Sequence, residues 1–245
     1  MTDPRDQLVF ILLYVKQYPT QDLQALLFGK TQSWACDWVH RLMPLLKTAL
    51  GHDCHLPSRV PVTSIEELRT RVPGLEFVID GTERPIARPS KEPRQREHYS
   101  GKKKRHTVKN VVAVDKKTKK IKHLSLTKPG SHHDKRVQDE SGMVFPPGSS
   151  VFQDTGFQGH APPGVTVLQP KKKPRGGELT EEEKARNKEI SRERIVVEHS
   201  IGGMKISRIV ADKFRNRVEG FDDLTCEVSC GLHNYRMDRV TPMAA

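Results

Sequence analysis

Three acidic residues stand in settings that could do chemistry: Asp80 in VIDGT (78–82), Asp154 in FQDTG (152–156) and Glu198 in VVEHSIGGMK (196–205). Each aspartate closes an apolar run that reads as a buried strand and precedes a glycine-bearing turn. A carboxylate just past such a strand sits at the rim of a sheet, where side chains converge on a ligand. Taken singly, each aspartate reads as a turn former or a helix N-cap, and a lone glutamate on a helix reads as a salt-bridge partner. Together they are hard oxygen donors from two strands and one helix. Such a set suits divalent cations, and two of these about 3.5–4 Å apart clamp the attacking and leaving oxygens of a phosphoryl transfer.

The charge balance points to an anionic partner. Lys and Arg outnumber Asp and Glu by 42 to 30 in 245 residues, a net charge of +12. Nucleic acid is the commonest counterpart of such a surplus. Three basic runs fall in loops or at strand ends: GKKKRH (101–106), with Lys102, Lys103, Lys104 and Arg105; KKTKK (116–120); and QPKKKPR (169–175), with Lys171, Lys172 and Lys173. Loops so placed suit phosphate contacts that ignore sequence. Asp134, in GSHHD, is a fourth acid, read as a helix-start residue near the site, whereas Asp115 and Asp139 are assigned to exposed turn and helix segments. No apolar stretch approaches the roughly 20 residues of a membrane span, and LVFILLYV (8–15) lacks the cleavage site of a signal peptide. Cys36, Cys54, Cys226 and Cys230 form no CxxC pair. Although Cys226, Cys230 and His233 could be fragments of a metal site, their spacing suits one helical face, and the cysteines read as reduced, buried thiols in a cytosolic protein.

The elements that must hold the acids fall into two regions. Residues 5–50 read as three helices. Leu8, Ile11, Leu12 and Val15 make one stripe, Thr20 and Gly29 bracket a short second helix, and Trp34, Trp38, Leu42 and Leu45 line the third. Pro44 predicts a kink or an early end there. A short helix, a glycine turn and a longer helix outline a helix-turn-helix, and any small helical bundle shares that outline. On the third helix, Gln32, Ser33, Asp37, His40 and Arg41 include side chains able to reach base edges. Residues 51–64 read as a linker and 63–74 as a short helix. Strands follow at 75–80, 107–115, 120–127, 150–154 and 165–170, the second and third joined as a hairpin. A short helix falls at 131–142 and a long helix opens on the Thr180–Glu183 capping box. Strands first and helices interleaved later give an α/β domain with a mixed sheet.

As a set, DGT, QDTG and the spacing Arg194-x3-Glu198-x6-Lys205 resemble the DDE transposases of bacterial insertion sequences, in the group related to the eukaryotic Harbinger elements. The likeness runs from about 74 to 239 and more loosely over the first helices. One departure is Ser191, where related transposases place a tyrosine. The resemblance implies a ribonuclease-H-like mixed sheet flanked by helices (74–240), preceded by a small all-α helix-turn-helix-like region (1–58). It implies that Asp80, Asp154 and Glu198 hold catalytic divalent metal, magnesium or alternatively manganese. Glu198 would then be buried on an inward helical face, with Ile195 and Ile201 seating its helix on the sheet. Arg194 and Lys205 would meet DNA at the same cleft, or form a surface charge pair with Glu198.

The implied activity is cleavage of the element's ends and joining of the 3′ ends to target DNA. The partners would be terminal repeats and target duplex, with a homodimer assembled on DNA in a bacterial cytoplasm, at the nucleoid. A derivative that only binds DNA, or a structure-specific nuclease without strand transfer, are the alternatives.

Overall fold

The computed structural model describes residues 1–59 and 75–240. The short helix expected at 63–74, and most of the linker's second half, lie outside the described residues.

Three helices open the chain. The first, α1 (Pro4–Gln17), is capped by Asp3 and ends at Tyr18 in the left-handed region. Thr20 and Thr31 cap α2 (Gln21–Leu27) and α3 (Gln32–His52), their hydroxyls accepting the Leu23 and Trp34 amides. Between them Gly29 adopts φ 62°, which a residue without Cβ reaches at no steric cost. Pro44 does not end α3. The buried stripes are rotated from those expected: Phe10, Ile11, Tyr14 and Val15 in α1, and Ala35, Val39, Leu42, Met43, Leu46 and Leu50 in α3. Leu8 is 49% and Leu45 55% exposed, and both tryptophans sit half-buried at the edge. These helices bury one side against each other and another against the rest of the chain, so a single-stripe reading misplaces the boundary.

Among the described residues, seven strands form one mixed sheet. Its centre is the antiparallel pair β1 (Glu76–Pro85) and β3 (Arg105–Asp115). On the far edge of β3 lie β2 (Tyr99–Ser100), β4 (Ile121–Leu124) and β5 (Lys128–Pro129), all antiparallel to it. On the other side of β1, β6 (Ser150–Phe152) and then β7 (Thr166–Leu168) add in parallel. The helices α4 (Glu92–His98), α5 (Asp134–Glu140), α6 (Glu181–Lys205), α7 (Arg208–Ala211) and α8 (Phe221–Val240) complete the fold. This is the helix-flanked mixed sheet expected of a ribonuclease-H-like domain. Two strand ends are corrected: β6 stops at Phe152, two residues short of the expected Asp154. The first strand does not stop at Asp80 but runs on to Pro85, because β3 is long enough to pair with it that far.

Strand alternation divides the core between the two faces of the sheet. Val78, Val112, Val114, Ile121 and Leu124 face α6 and α8 and join the core of the N-terminal helices. Phe77, Ile79, Val111, Ala113 and Val151 face the other way, against Val137 of α5 and Phe157. Asp80 and Gly81 therefore look toward opposite sides of one strand.

The first three helices are not a separate body. Leu46 and Leu50 of α3 and Val228 and Cys230 of α8 belong to one continuous core. Gly231 is what lets the helices close: a Cβ there would stand 3.0 Å from Leu50 Cδ1 and 2.9 Å from Leu56 Cδ2. At the other end Arg215 donates its amide to the Tyr18 hydroxyl (2.7 Å) and its guanidinium to the Pro19 carbonyl (2.8 Å). The expected zinc fragments serve this packing. Cys226 and Cys230 are buried free thiols, and the His233 ring bonds the Lys119 carbonyl at 3.0 Å. Cys54 is exposed, against the expectation of burial.

Candidate active site

The long helix carries the third acid, and its start is set locally. The Thr180 hydroxyl accepts the Glu183 amide while the Glu183 carboxylate accepts the Thr180 amide, and three glutamates fill the first turn where the helix dipole favours them. Ile190, Val197, Ser200 and Met204 form its buried stripe. At 100° per residue, Glu198 follows Val197 round to the solvent side. Glu198 is therefore exposed, not buried as expected, and Ile195 is 43% exposed and seats nothing. Ile201 does pack against the core. Arg194, Glu198 and Lys205 nevertheless share one stripe along the flank of α6, spaced by one and two turns.

That stripe runs beside β1. Arg194 reaches down to the aspartates: its guanidinium lies 3.8 Å from Asp80 Oδ1 and 3.7 Å from Asp154 Oδ1. The expected surface pair with Glu198 is not what forms, since Arg194 points to the sheet. Its side chain is only 13% exposed, and its Nε is buried without a partner. Further along, Lys205 Nζ donates to the Glu83 carbonyl at 3.3 Å. Burial, then the neighbouring Lys103, lower the Lys205 pKa. The Lys103 charge acts on Lys205, so the GKKKRH loop lies near the same flank.

Asp80 Oδ1 accepts the Gly81 amide at 2.8 Å. Asp154 caps the turn Thr155–Phe157, accepting the Thr155 amide at 2.6 Å, so both aspartates are oriented by the backbone that follows them. The Asp80 pKa is raised, chiefly by burial, against the opposing pull of Arg194 and the Gly81 amide. Among the described residues, no three His, Cys, Asp or Glu side chains gather closely enough to hold a metal ion. Asp80 and Asp154 do converge on one cationic group, and Glu198 stands at the rim beyond it.

The basic runs divide. Lys102, Lys103, Lys104, Arg105 and Lys172 are exposed and form no ion pair among the described residues. Lys171 is paired to Glu183, and Lys173 stands 3.6 Å from Glu178. In KKTKK, Lys116 links Glu76 (3.0 Å) and Glu193 (2.6 Å), and Lys120 pairs with Asp238. That run fastens the hairpin to α6 and α8. Asp115 is buried, correcting its assignment to an exposed turn: it accepts from the Thr118 hydroxyl at 2.6 Å and closes the turn. On α3, Gln32, Ser33, Asp37 and Arg41 are exposed, whereas His40 is engaged by Asn216 at 2.9 Å.

Two site residues, Lys109 and Glu83, escape the motif reading, and the lysine ties them together. Lys109 of β3 is buried, with Nζ 2.9 Å from Asp134 Oδ1 and 3.5 Å from Glu83 Oε1. Its signal was available: a lysine in the apolar run TVKNVVAVD must find a carboxylate.

With this geometry in place, comparison with known proteins is decisive. The family model described as "DDE superfamily endonuclease" matches residues 79–234, spanning Asp80, Asp154 and Glu198. The chain belongs to the DDE superfamily endonuclease family. The first 52 residues match the "Helix-turn-helix of DDE superfamily endonuclease", which places α1 to α3 in the same family. Across 232 residues the chain is 32% identical to a protein of Microchaete diplosiphon called "Probable transposase for insertion sequence element IS702". That match covers 95% of this chain and 80% of the relative. No solved structure matches the chain. Membership makes this an enzyme of the endonuclease type. Among the described residues no helix is long and apolar enough to cross a membrane.

Proposed function

We propose that this DDE endonuclease is the transposase of an insertion sequence, cutting the ends of its own element and joining the 3′ ends to target DNA. The observation that carries the reading is the convergence of Asp80, on β1, and Asp154, in the turn after the parallel neighbour β6, on one cation, the Arg194 guanidinium. That guanidinium stands in for a metal ion: the donor set is two carboxylates, the hard oxygen ligands a divalent ion prefers. Asp80 and Asp154 would hold the ion, magnesium or manganese, with Glu198 supplying the third carboxylate from the rim. A divalent ion bound there supplies Lewis acidity for an in-line displacement at phosphorus.

The chain's own residues do the rest. The Gly81 and Thr155 amides hold the two carboxylates in one orientation each. Arg194 and Lys205 flank Glu198 with positive charge, and Lys102, Lys103, Lys104 and Arg105 extend that charge outward to grip phosphates. A second basic surface, Lys171, Lys172 and Lys173, lies beside Asp154, where Lys172 and Arg186 line a cavity together with Thr155 and Gln169. The helix-turn-helix would read the terminal repeats through Gln32, Ser33, Asp37 and Arg41, with two copies assembled on DNA at the nucleoid.

The test is cleavage of supercoiled DNA carrying the element's flanking repeats, with magnesium or with chelator, followed by addition of a target plasmid. Metal-dependent nicks at the repeat ends and joined products support the reading. Cutting without joining makes the protein a nuclease alone, and binding without cutting makes it a DNA-binding derivative.

A further inference from the structure

The two motif glycines face a third carboxylate. A Cβ built on Gly81 would stand 2.8 Å from Asp134 Oδ1, and one on Gly156 would stand 3.3 Å from Asp134 Oδ2. Gly81 directly follows Asp80, and Gly156 lies in the turn that Asp154 caps. The Asp134 carboxylate thus fills the gap between the two backbone segments that carry the site aspartates, one oxygen against each. It enters from the opposite face of the sheet, at the first turn of α5, whose Val137 packs with Ile79, Val151 and Phe157 under both segments.

Its position is anchored. Lys109 Nζ donates to the His132 carbonyl at 2.8 Å and lies 2.9 Å from Asp134 Oδ1. Glu83, 3.5 Å from the same amine, is held in turn by the Thr107 hydroxyl at 2.9 Å. Lys109 and Glu83 side chains are 9% and 7% exposed, so this network is fastened inside the sheet. A carboxylate this close to two other acids is tolerated because the amine neutralises it.

We propose that Asp134 is a positioning residue for the reaction: anchored by Lys109, it is the spacer that sets the separation of Asp80 and Asp154. The preference for glycine follows, since a side chain at 81 would displace the spacer and one at 156 would press on it. The inference rests on the proposed roles of Asp80 and Asp154, and groups that orient metal-bearing carboxylates ordinarily change metal affinity 10–100-fold when removed.

The experiment has two arms on the full chain. In the first, thermal stability is measured for Gly81→Ala, Asp134→Ala and the double variant. Gly81→Ala should lower Tm in the wild-type chain and cost clearly less once Asp134→Ala has made room for the methyl group. Equal cost in both backgrounds overturns the spacer. In the second, Mn2+ affinity is measured by calorimetry, with duplex binding in chelator alongside. Asp134→Ala should weaken Mn2+ by about 10–100-fold, leave DNA affinity unchanged, and lower kcat for nicking more than it raises KM. Asp134→Asn, which keeps the shape, should recover part of the loss. Unchanged Mn2+ affinity in a folded Asp134→Ala chain overturns the positioning role. Wild-type Mn2+ affinity in Asp80→Asn would instead overturn the metal reading, while the stability arm, which needs no metal, still judges the spacer.

Discussion

The Arg194 guanidinium stands 3.8 Å from Asp80 and answers its charge across the gap between α6 and β1. It holds Asp154 at 3.7 Å in the same way, without closing to hydrogen-bond distance on either, and its Nε has no partner. A guanidinium this loosely committed is able to leave. A divalent ion and Arg194 compete for the same two carboxylates, so removing the competitor should help the metal. Arg194→Gln is expected to bind Mn2+ about tenfold more tightly in the absence of DNA, a gain of about 1.4 kcal/mol. Titration calorimetry decides it, and weaker binding would mean that Arg194 organises the carboxylates.

Glu198 separates catalysis from stability. Because its side chain is exposed, Glu198→Gln should change folding stability by no more than about 0.5 kcal/mol. Magnesium-dependent nicking should nonetheless disappear while duplex binding persists. Cutting that survives the substitution would remove Glu198 from the ligand set.

The basic loops should not contribute equally to DNA binding. Each exposed, unpaired lysine that meets a phosphate adds about one to the slope of log K against log salt. Lys103→Gln and Lys172→Gln should each lower that slope by about one. Lys171→Gln should lower it less, because Lys171 already answers Glu183. Equal effects, or a salt-independent constant, would argue that the loops are merely solvated.

Removing the first helices should cost the fold. Leu46 and Leu50 pack into the core shared with α8, and Lys47 pairs at 2.9 Å with the buried Glu227. Each buried leucine is worth about 1.5–3 kcal/mol, and the α8 face would be stripped of several partners. A fragment spanning 74–245 is expected to be insoluble or to melt far below the full chain, measured by circular dichroism. A fragment that stays folded and nicks DNA would show that the helix-turn-helix is a detachable module.

Acid should destabilise the protein before its carboxylates titrate. Burial, aided by Arg59, lowers the His123 pKa to about 4 from 6.5. Below pH 6.5 the unfolded chain takes a proton that folded His123 refuses, so stability falls toward pH 4 and that contribution then levels off. The loss is at most about 3 kcal/mol, and His233, also lowered by burial, acts in the same direction. His123→Leu should flatten the slope between these pH values in chemical denaturation.

Much was settled by residue order alone. The capping box at Thr180, the caps at Thr20 and Thr31, the turn at Gly29 and the apolar strand runs follow from local hydrogen bonding and side-chain character, which act over a few residues. The spacing of Asp80, Asp154, Arg194, Glu198 and Lys205 was enough to point to the family. α8 gave no such signal, because it is buried nearly all round with Thr225, Glu227, Ser229 and Asn234 among its buried residues, and a helix without a polar face has no period to read. Orientation was equally out of reach. Whether Glu198 faced the core or solvent turned on which neighbour, Val197, took the sheet contact. The partners of Arg194 and Lys109 lie on strands far away in the chain. Ion pairs and glycine clearances of that kind depend on how the sheet stacks against its helices, so only the tertiary structure decided them.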